Sequence, residues 1–271
     1  MTHVFDPGPV VEPYLSLARD YPGHDVYPGD SFRVEWGPVF HRGRLDGSAR
    51  VLVIGQEPTA FDHITRRILV GEAGHRVQGL LAKLGIDRSY VAINTFLYSF
   101  YGREPECDHR HDPAIVGYRH RWLDALVADN TFEVVIALGA LADEAWQKWK
   151  RHAEDALPRV GYAHVTHPTE PETSSGGDPD ELGTATAAML SNWNHALRRL
   201  HPTVITPDAQ RELVLYGERF EPSNKAAIPE EDLPAGLPGW MRSAEAWAKR
   251  HCSTPAGTRS SVTIVPRGAT A

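Results

Sequence analysis

The sequence predicts an α/β fold built on a four-stranded parallel sheet. Three features carry that prediction. Four short apolar runs recur along the chain, rich in Val, Ile and Ala; stretches with apolar residues at helical spacing lie between them; and the runs stop at Gly or a polar residue. Strands alternating with helices imply parallel pairing through right-handed crossovers. The 271 residues suffice for one substantial core, with 41% hydrophobic and 23% charged residues, as in an ordinary globular protein. The expected organisation is an N-terminal extension packed on the core (1–45), the α/β domain (46–203), and a C-terminal extension frayed at its end (204–271).

Residues 1–50 are rich in Pro, Gly, Tyr and Asp and read as a helix and loops. The first strand is Val51-Leu52-Val53-Ile54, stopped by Gly55, and Gln56-Glu57-Pro58-Thr59 follows at its carboxyl end, where open α/β sheets gather ligands. Residues 74–84 place Val77, Leu80, Leu81 and Leu84 on one helical face, and Gly85 ends that helix. The second strand, 90–94 (YVAIN), delivers Asn94 to the same edge. Asp112-Pro113 caps and opens a helix carrying Ile115, Trp122, Leu123 and Leu126. The third strand is 134–138, stopped by Gly139, and the next helix spans 141–150. A short fourth strand, 163–166, ends at His167-Pro168-Thr169. A polar loop over 170–180 then leads to a helix at 184–200. Beyond it the chain has one strand-like piece, 213–216, one helix near 243–251, and a loose end.

Several function classes are disfavoured. No apolar run approaches the roughly 20 residues of a membrane helix, and the start lacks a basic flank followed by an apolar stretch, so it reads as cytoplasmic. Two cysteines, Cys107 and Cys252, cannot supply four thiolates. The spacing Cys107-Asp108-His109-Arg110-His111 is not answered by a second ligand group, so no metal is expected. A net charge of −7 argues against broad attachment to nucleic acid. Local basic stretches remain at Arg66-Arg67 and over 103–121, though each also reads as a solvated face.

Strand ends deliver Glu57, Asn94 and His167 to one rim. Singly, these are a helix cap, a turn residue and a surface imidazole; His-Pro-Thr even recurs at 201–203, where stopping a helix explains it. As an ordered set they are specific. Gly55-Gln56-Glu57-Pro58 resembles the first motif of the uracil-DNA glycosylase superfamily, with Glu for Asp. Ile93-Asn94-Thr95 is similar to its base-reading segment, Val135 to Gly139 to its third-strand segment, and His167-Pro168-Thr169 to its terminal motif. Val70 to Gly74, with Leu80-Leu81 and Leu84-Gly85-Ile86, resembles the iron-sulfur branch, whose cluster the missing thiolates rule out.

The resemblance, over about 51–200, implies a three-layer α/β/α fold, DNA as partner, and a glycosylase that needs no cofactor. Glu57 and His167 would be catalytic, Glu57 polarising water and His167 donating to the base O2. Asn94 and Gln56 would hold the base, with Thr59 and Leu69 where the family places a Tyr and a Phe. Arg66, Arg67 and Thr169 would touch DNA. Smaller residues at 59 and 69 enlarge the C5 side, which suggests a base larger than uracil, such as the C5-modified pyrimidines of some viral DNA, and a defensive role. The rival on the same fold is an inactive base-binding or sensor protein. An unrelated hydrolase or nucleotide-binding enzyme lacks its nucleophile elbow or phosphate loop here.

Overall fold

The computed structural model describes residues 5–101, 108–153, 160–236, 247–252 and 260–265. Its central sheet holds strands β1 (His41–Gly43), β2 (Val51–Gly55), β3 (Tyr90–Asn94), β4 (Val134–Leu138) and β5 (Gly161–Val165), in spatial order β1-β3-β2-β4-β5. The last four pair in parallel, as expected. Helices are α1 (Tyr14–Arg19), α2 (Ala60–Thr65), α3 (Glu72–Lys83), α4 (Pro113–Asp129), α5 (Ala140–His152), α6 (Glu170–Ser174) and α7 (Pro179–Leu200). None of the described helices is long and apolar enough to cross a membrane.

Side-chain alternation along the buried strands divides the core in two. Leu52, Ile54, Val91, Ile93 and Val135 face α4 and α5 through Ile115, Trp122, Leu126 and Trp146; α1 joins that layer through Tyr14 and Leu17. Val51, Val53, Ala92, Ile136 and Leu138 face α3 and α7 through Leu80, Leu81, Trp193 and Leu197. Asp112 caps α4 as its sequence implies, its carboxylate accepting from Ala114 N and Ile115 N. Asp178-Pro179 opens α7 by the same device, five residues before the expected start.

Four features correct the sequence reading. The sheet has a fifth strand, β1, antiparallel to β3 with His41 opposite Ile93. Its sequence, HRG, has no apolar run; its buried polar side chains lie beside opposite charge, His41 at Asp6 and Arg42 at Asp232, and Arg42 Nη1 donates to Gln78 Oε1. The segment 213–216 is not a strand; Asn194 stands in for one, its amide donating to Tyr216 O at 3.0 Å and accepting from Tyr216 N at 2.8 Å. Residues 170–174 form α6 rather than a loop. Where a helix was expected near 243–251, Trp247–Cys252 (β6) is a strand pairing antiparallel with Ser260–Val265 (β7).

Segments before β1 and after α7 are fastened by buried charge at Asp6 and Asp232. Asp6 accepts from Arg67 Nε at 2.5 Å and lies 3.3 Å from His41 Nε2. Burial raises the Asp6 pKa, but His41 and Arg67 outweigh it and hold the carboxyl down at about 2. Asp232, fully buried, bonds the Arg44 guanidinium and the Tyr90 hydroxyl and lies 3.6 Å from Arg42 Nη1. Removing one member of such a cluster leaves uncompensated buried charge. Asp232→Ala is therefore expected to cost about 3–5 kcal/mol in denaturant unfolding; a loss within ±0.5 kcal/mol, typical of a surface site, would show that the cluster does not hold the extension.

Candidate functional site

The site is assembled where the parallel strands end together. Gly55 lies opposite Asn94 in the register of β2 and β3. The ladder runs on into the loops, Thr95 N donating to Gly55 O and Phe96 N to Gln56 O, both at 2.9 Å. A Cβ at position 55 would come within 2.3 Å of Asn94 Oδ1, so glycine there lets the amide keep this position. Asn94 is 8% exposed, and among the described residues neither its Oδ1 nor its Nδ2 has a hydrogen-bond partner. A buried amide left unpaired costs about 1–3 kcal/mol per group, a cost that a ligand presenting complementary polar atoms would remove.

Glu57 leaves β2 half-buried, and its Oε2 accepts from Phe100 N at 2.9 Å. The loop after β3 therefore orients the acid. The same loop braces the proline behind it, Ser99 Oγ donating to Pro58 O and lying 2.9 Å from His63 Nε2.

At the next strand ends, Gly139 (φ +85°) admits Gln56 and His167 side by side. A Cβ there would come within 2.6 Å of Gln56 Nε2 and 3.3 Å of His167 Cβ. His167 Nδ1 receives the Thr169 N–H at 3.4 Å, with the Thr169 hydroxyl 3.1 Å away. A backbone N–H only donates, so Nδ1 is the acceptor and the ring proton sits on Nε2. Burial pushes the His167 pKa down to about 4, against the pull of Glu172. The imidazole is thus a neutral Nε2–H donor at physiological pH.

Arg76, buried on α3, fixes this loop. Its Nη1 donates to Pro168 O at 2.6 Å, its Nη2 to Glu172 at 2.6 Å and its Nε to Glu72 at 2.9 Å, while the guanidinium stacks on Phe220 with 5.0 Å to the ring centre. Sequence reading missed Arg76, because an arginine amid an amphipathic helix reads as solvated surface.

The remaining expected residues divide. Thr59 is exposed and begins α2 in a capping box, its N–H donating to Asp62 at 2.7 Å. Asp62 is fully buried, also accepts from Val70 N at 3.0 Å, and is pushed up to about 6 by burial. The Thr-x-x-Asp spacing carried that signal. Leu69 packs in the core at φ +56°, and its carbonyl lies where a Cβ on Gly74 would come within 1.6 Å. Arg66 is exposed and donates to Trp36 O at 2.7 Å. Arg67 does not meet the expectation of a DNA contact: its charge turns inward to Asp6, where a buried carboxylate outcompetes solvent. Thr169, also expected at DNA, turns its N–H and hydroxyl to His167. Phe96, Tyr98 and Phe100 are core residues, whereas Tyr101 is 40% exposed. Arg103 and Cys107 lie outside the described residues.

Two outcomes follow from this geometry. Arg76→Gln leaves the Glu172 carboxylate unopposed, so the His167 pKa rises from about 4, and a second change, Glu172→Gln, reverses the rise; imidazole NMR titration reads it, and an unmoved titration contradicts it. Because the folded-state His167 pKa lies below the ordinary 6.5, an unfolded chain takes up this proton first. Stability at this position is therefore full above about pH 6.5 and is lost as pH falls toward 4, a slope that His167→Gln should flatten in unfolding measured between those limits.

A comparison with curated proteins finds no match. The sequence profile of the Uracil DNA glycosylase superfamily matches residues 42–205, more than half of the chain, covering β2 to β5 and the strand ends that carry Glu57, Asn94 and His167. With an α/β sheet flanked by helices, the chain belongs to the uracil DNA glycosylase superfamily.

Proposed function

We propose that the protein is a monofunctional DNA glycosylase that hydrolyses the N-glycosidic bond of an extruded pyrimidine and leaves an abasic site. The observation that carries this reading is the contact behind His167: the Thr169 N–H donates to Nδ1, which leaves Nε2 as the ring nitrogen to carry the proton, and burial favours the neutral ring. A departing base anion needs such a donor at its O2, and a group that is neutral beforehand gains most when the charge develops.

In this reading Glu57 positions water on the sugar face. The water oxygen bonds to C1′ as the C1′–N1 bond breaks, its electron pair leaves with the base, and Glu57 takes the proton from water and offsets the oxocarbenium-like charge. Asn94 pairs with the Watson–Crick edge. Its amide matches O4 and N3–H of uracil, or after a flip N4–H₂ and N3 of a cytosine. Gln56 walls the pocket beside His167. The family resemblance places a larger aromatic group at each of positions 59 and 69; here Leu69 packs in the core and Thr59 caps α2, and the loss of bulk at 59 is read as leaving room at C5, so the preferred base is a C5-modified pyrimidine, which fits defence against modified viral DNA. No cofactor enters any step.

The test is incubation with DNAs carrying uracil, cytosine and bulky 5-substituted cytosines, followed by alkaline cleavage and mass analysis of the freed base. Release of a 5-substituted pyrimidine supports the reading; release of uracil alone overturns the enlarged pocket. His167→Ala should slow excision by about 10²–10³-fold, and Glu57→Ala should abolish it, with DNA binding unchanged in both. Tight binding without any abasic product would mark a base-binding protein instead.

A further inference from the structure

Four of the described arginines are buried, and three of them meet counter-charge. Arg67 pairs with Asp6, Arg76 with Glu72 and Glu172, and Arg42 lies 3.6 Å from Asp232. Arg119, on α4 and 4% exposed, is the exception. Among the described residues neither its Nε nor its Nη2 has a hydrogen-bond partner, and no carboxylate pairs with it. Glu144, whose charge reaches it, turns instead to Arg110 at 3.7 Å and His111 at 3.5 Å. Burial lowers the Arg119 pKa to about 10, so the guanidinium keeps its charge at neutral pH.

Arg119 lines a small cavity at the carboxyl end of β3. Asn94 and Thr95 are on one side of it, and aromatic and aliphatic side chains such as Tyr27, Tyr118 and Trp122 make up most of the rest. Among the described residues no Asp or Glu lies in its wall. Its volume of about 10 Å³ admits one guest near the size of a water molecule. Nε and Nη2 are the two nitrogens along one edge of the planar guanidinium, so their N–H groups run side by side and can meet on a single acceptor. A water there would satisfy the N–H groups but leave the charge uncompensated, which is the larger penalty of burying an ion.

We propose that this cavity binds one small monovalent anion, of halide size, on the free edge of the Arg119 guanidinium. The anion neutralises the charge that α4 brings beneath the end of β3, as Asp6 and Asp232 do for the other buried arginines. Its place is behind the strand end that carries Asn94, so it supports the site and takes no part in a reaction. The inference stands whether or not the chain cleaves DNA.

The test is urea unfolding of the full chain with sodium bromide replacing sodium gluconate at constant ionic strength, gluconate being too large for the cavity. An anion bound to the folded state alone lowers the unfolding constant about tenfold for each tenfold rise in bromide above its dissociation constant. Arg119→Met keeps much of the side chain's length without the charge and should show no such dependence. Without halide it should be at least as stable as the parent, as chains often are when a buried ion is replaced by an apolar group. A second readout does not need the variant to fold: crystals of the parent grown in bromide should show an anomalous peak within hydrogen-bond reach of Arg119 Nε and Nη2. A parent indifferent to bromide, an Arg119→Met chain with the parent's dependence, the same response to sulfate at equal ionic strength, or crystals with water in that position would each overturn the proposal. Excision is not read in this experiment, so failure of the glycosylase reading would appear separately.

Discussion

The register of the parallel strands is the constraint on which the rest depends. Because β2 and β3 end in step, Gly55 faces Asn94, and because Gly139 N donates to Val165 O at 2.8 Å, the ends of β4 and β5 stay level with them. Glycine at the ends of β2 and just past β4 then lets side chains from adjacent strands approach more closely than any Cβ would permit. A one-residue slip would turn Asn94 to the opposite face of the sheet. Sheet register thus sets where Asn94 and the loops carrying Glu57 and His167 begin.

Burial supplies the electrostatics. The half-buried imidazole of His167 is held toward its neutral form by burial, and Thr169 occupies its Nδ1. The parts that hold these groups come largely from elsewhere. Phe100 is aligned by the N-terminal segment, and Arg76 is stacked on Phe220 and linked through Glu72 to Lys225 Nζ at 2.6 Å. Residues beyond the matched span therefore brace both the acid and the imidazole. Asp6 and Asp232, buried among arginines, explain how such polar extensions remain attached.

What was legible in the sequence follows the strength of local signals. Runs such as VLVIG and VVIAL cannot be placed except as buried strands, and Asp-Pro before a periodic stretch marks a helix start. Glu57, Asn94 and His167 could be singled out because each lies at or two residues past the carboxyl end of a strand. β1 was not, since His41 and Arg42 are buried only by virtue of partners some 35 and 190 residues away in sequence, Asp6 and Asp232. Nor was the inward turn of Arg67, because nothing near it in sequence announces Asp6. Arg76 was hidden for the same reason: its bonds to Pro168, Glu172 and Phe220 exist only once the chain is folded.

The most direct measurement is a crystal structure with DNA carrying a 2′-fluoro pyrimidine nucleotide, whose fluorine disfavours charge at C1′ and so preserves the bond. The account predicts the extruded base between Asn94 and His167, its O2 within hydrogen-bond reach of Nε2 and a water held by Glu57 on the opposite side of the sugar. A base bound away from these three side chains, or one whose O2 faces a group other than His167, would contradict it.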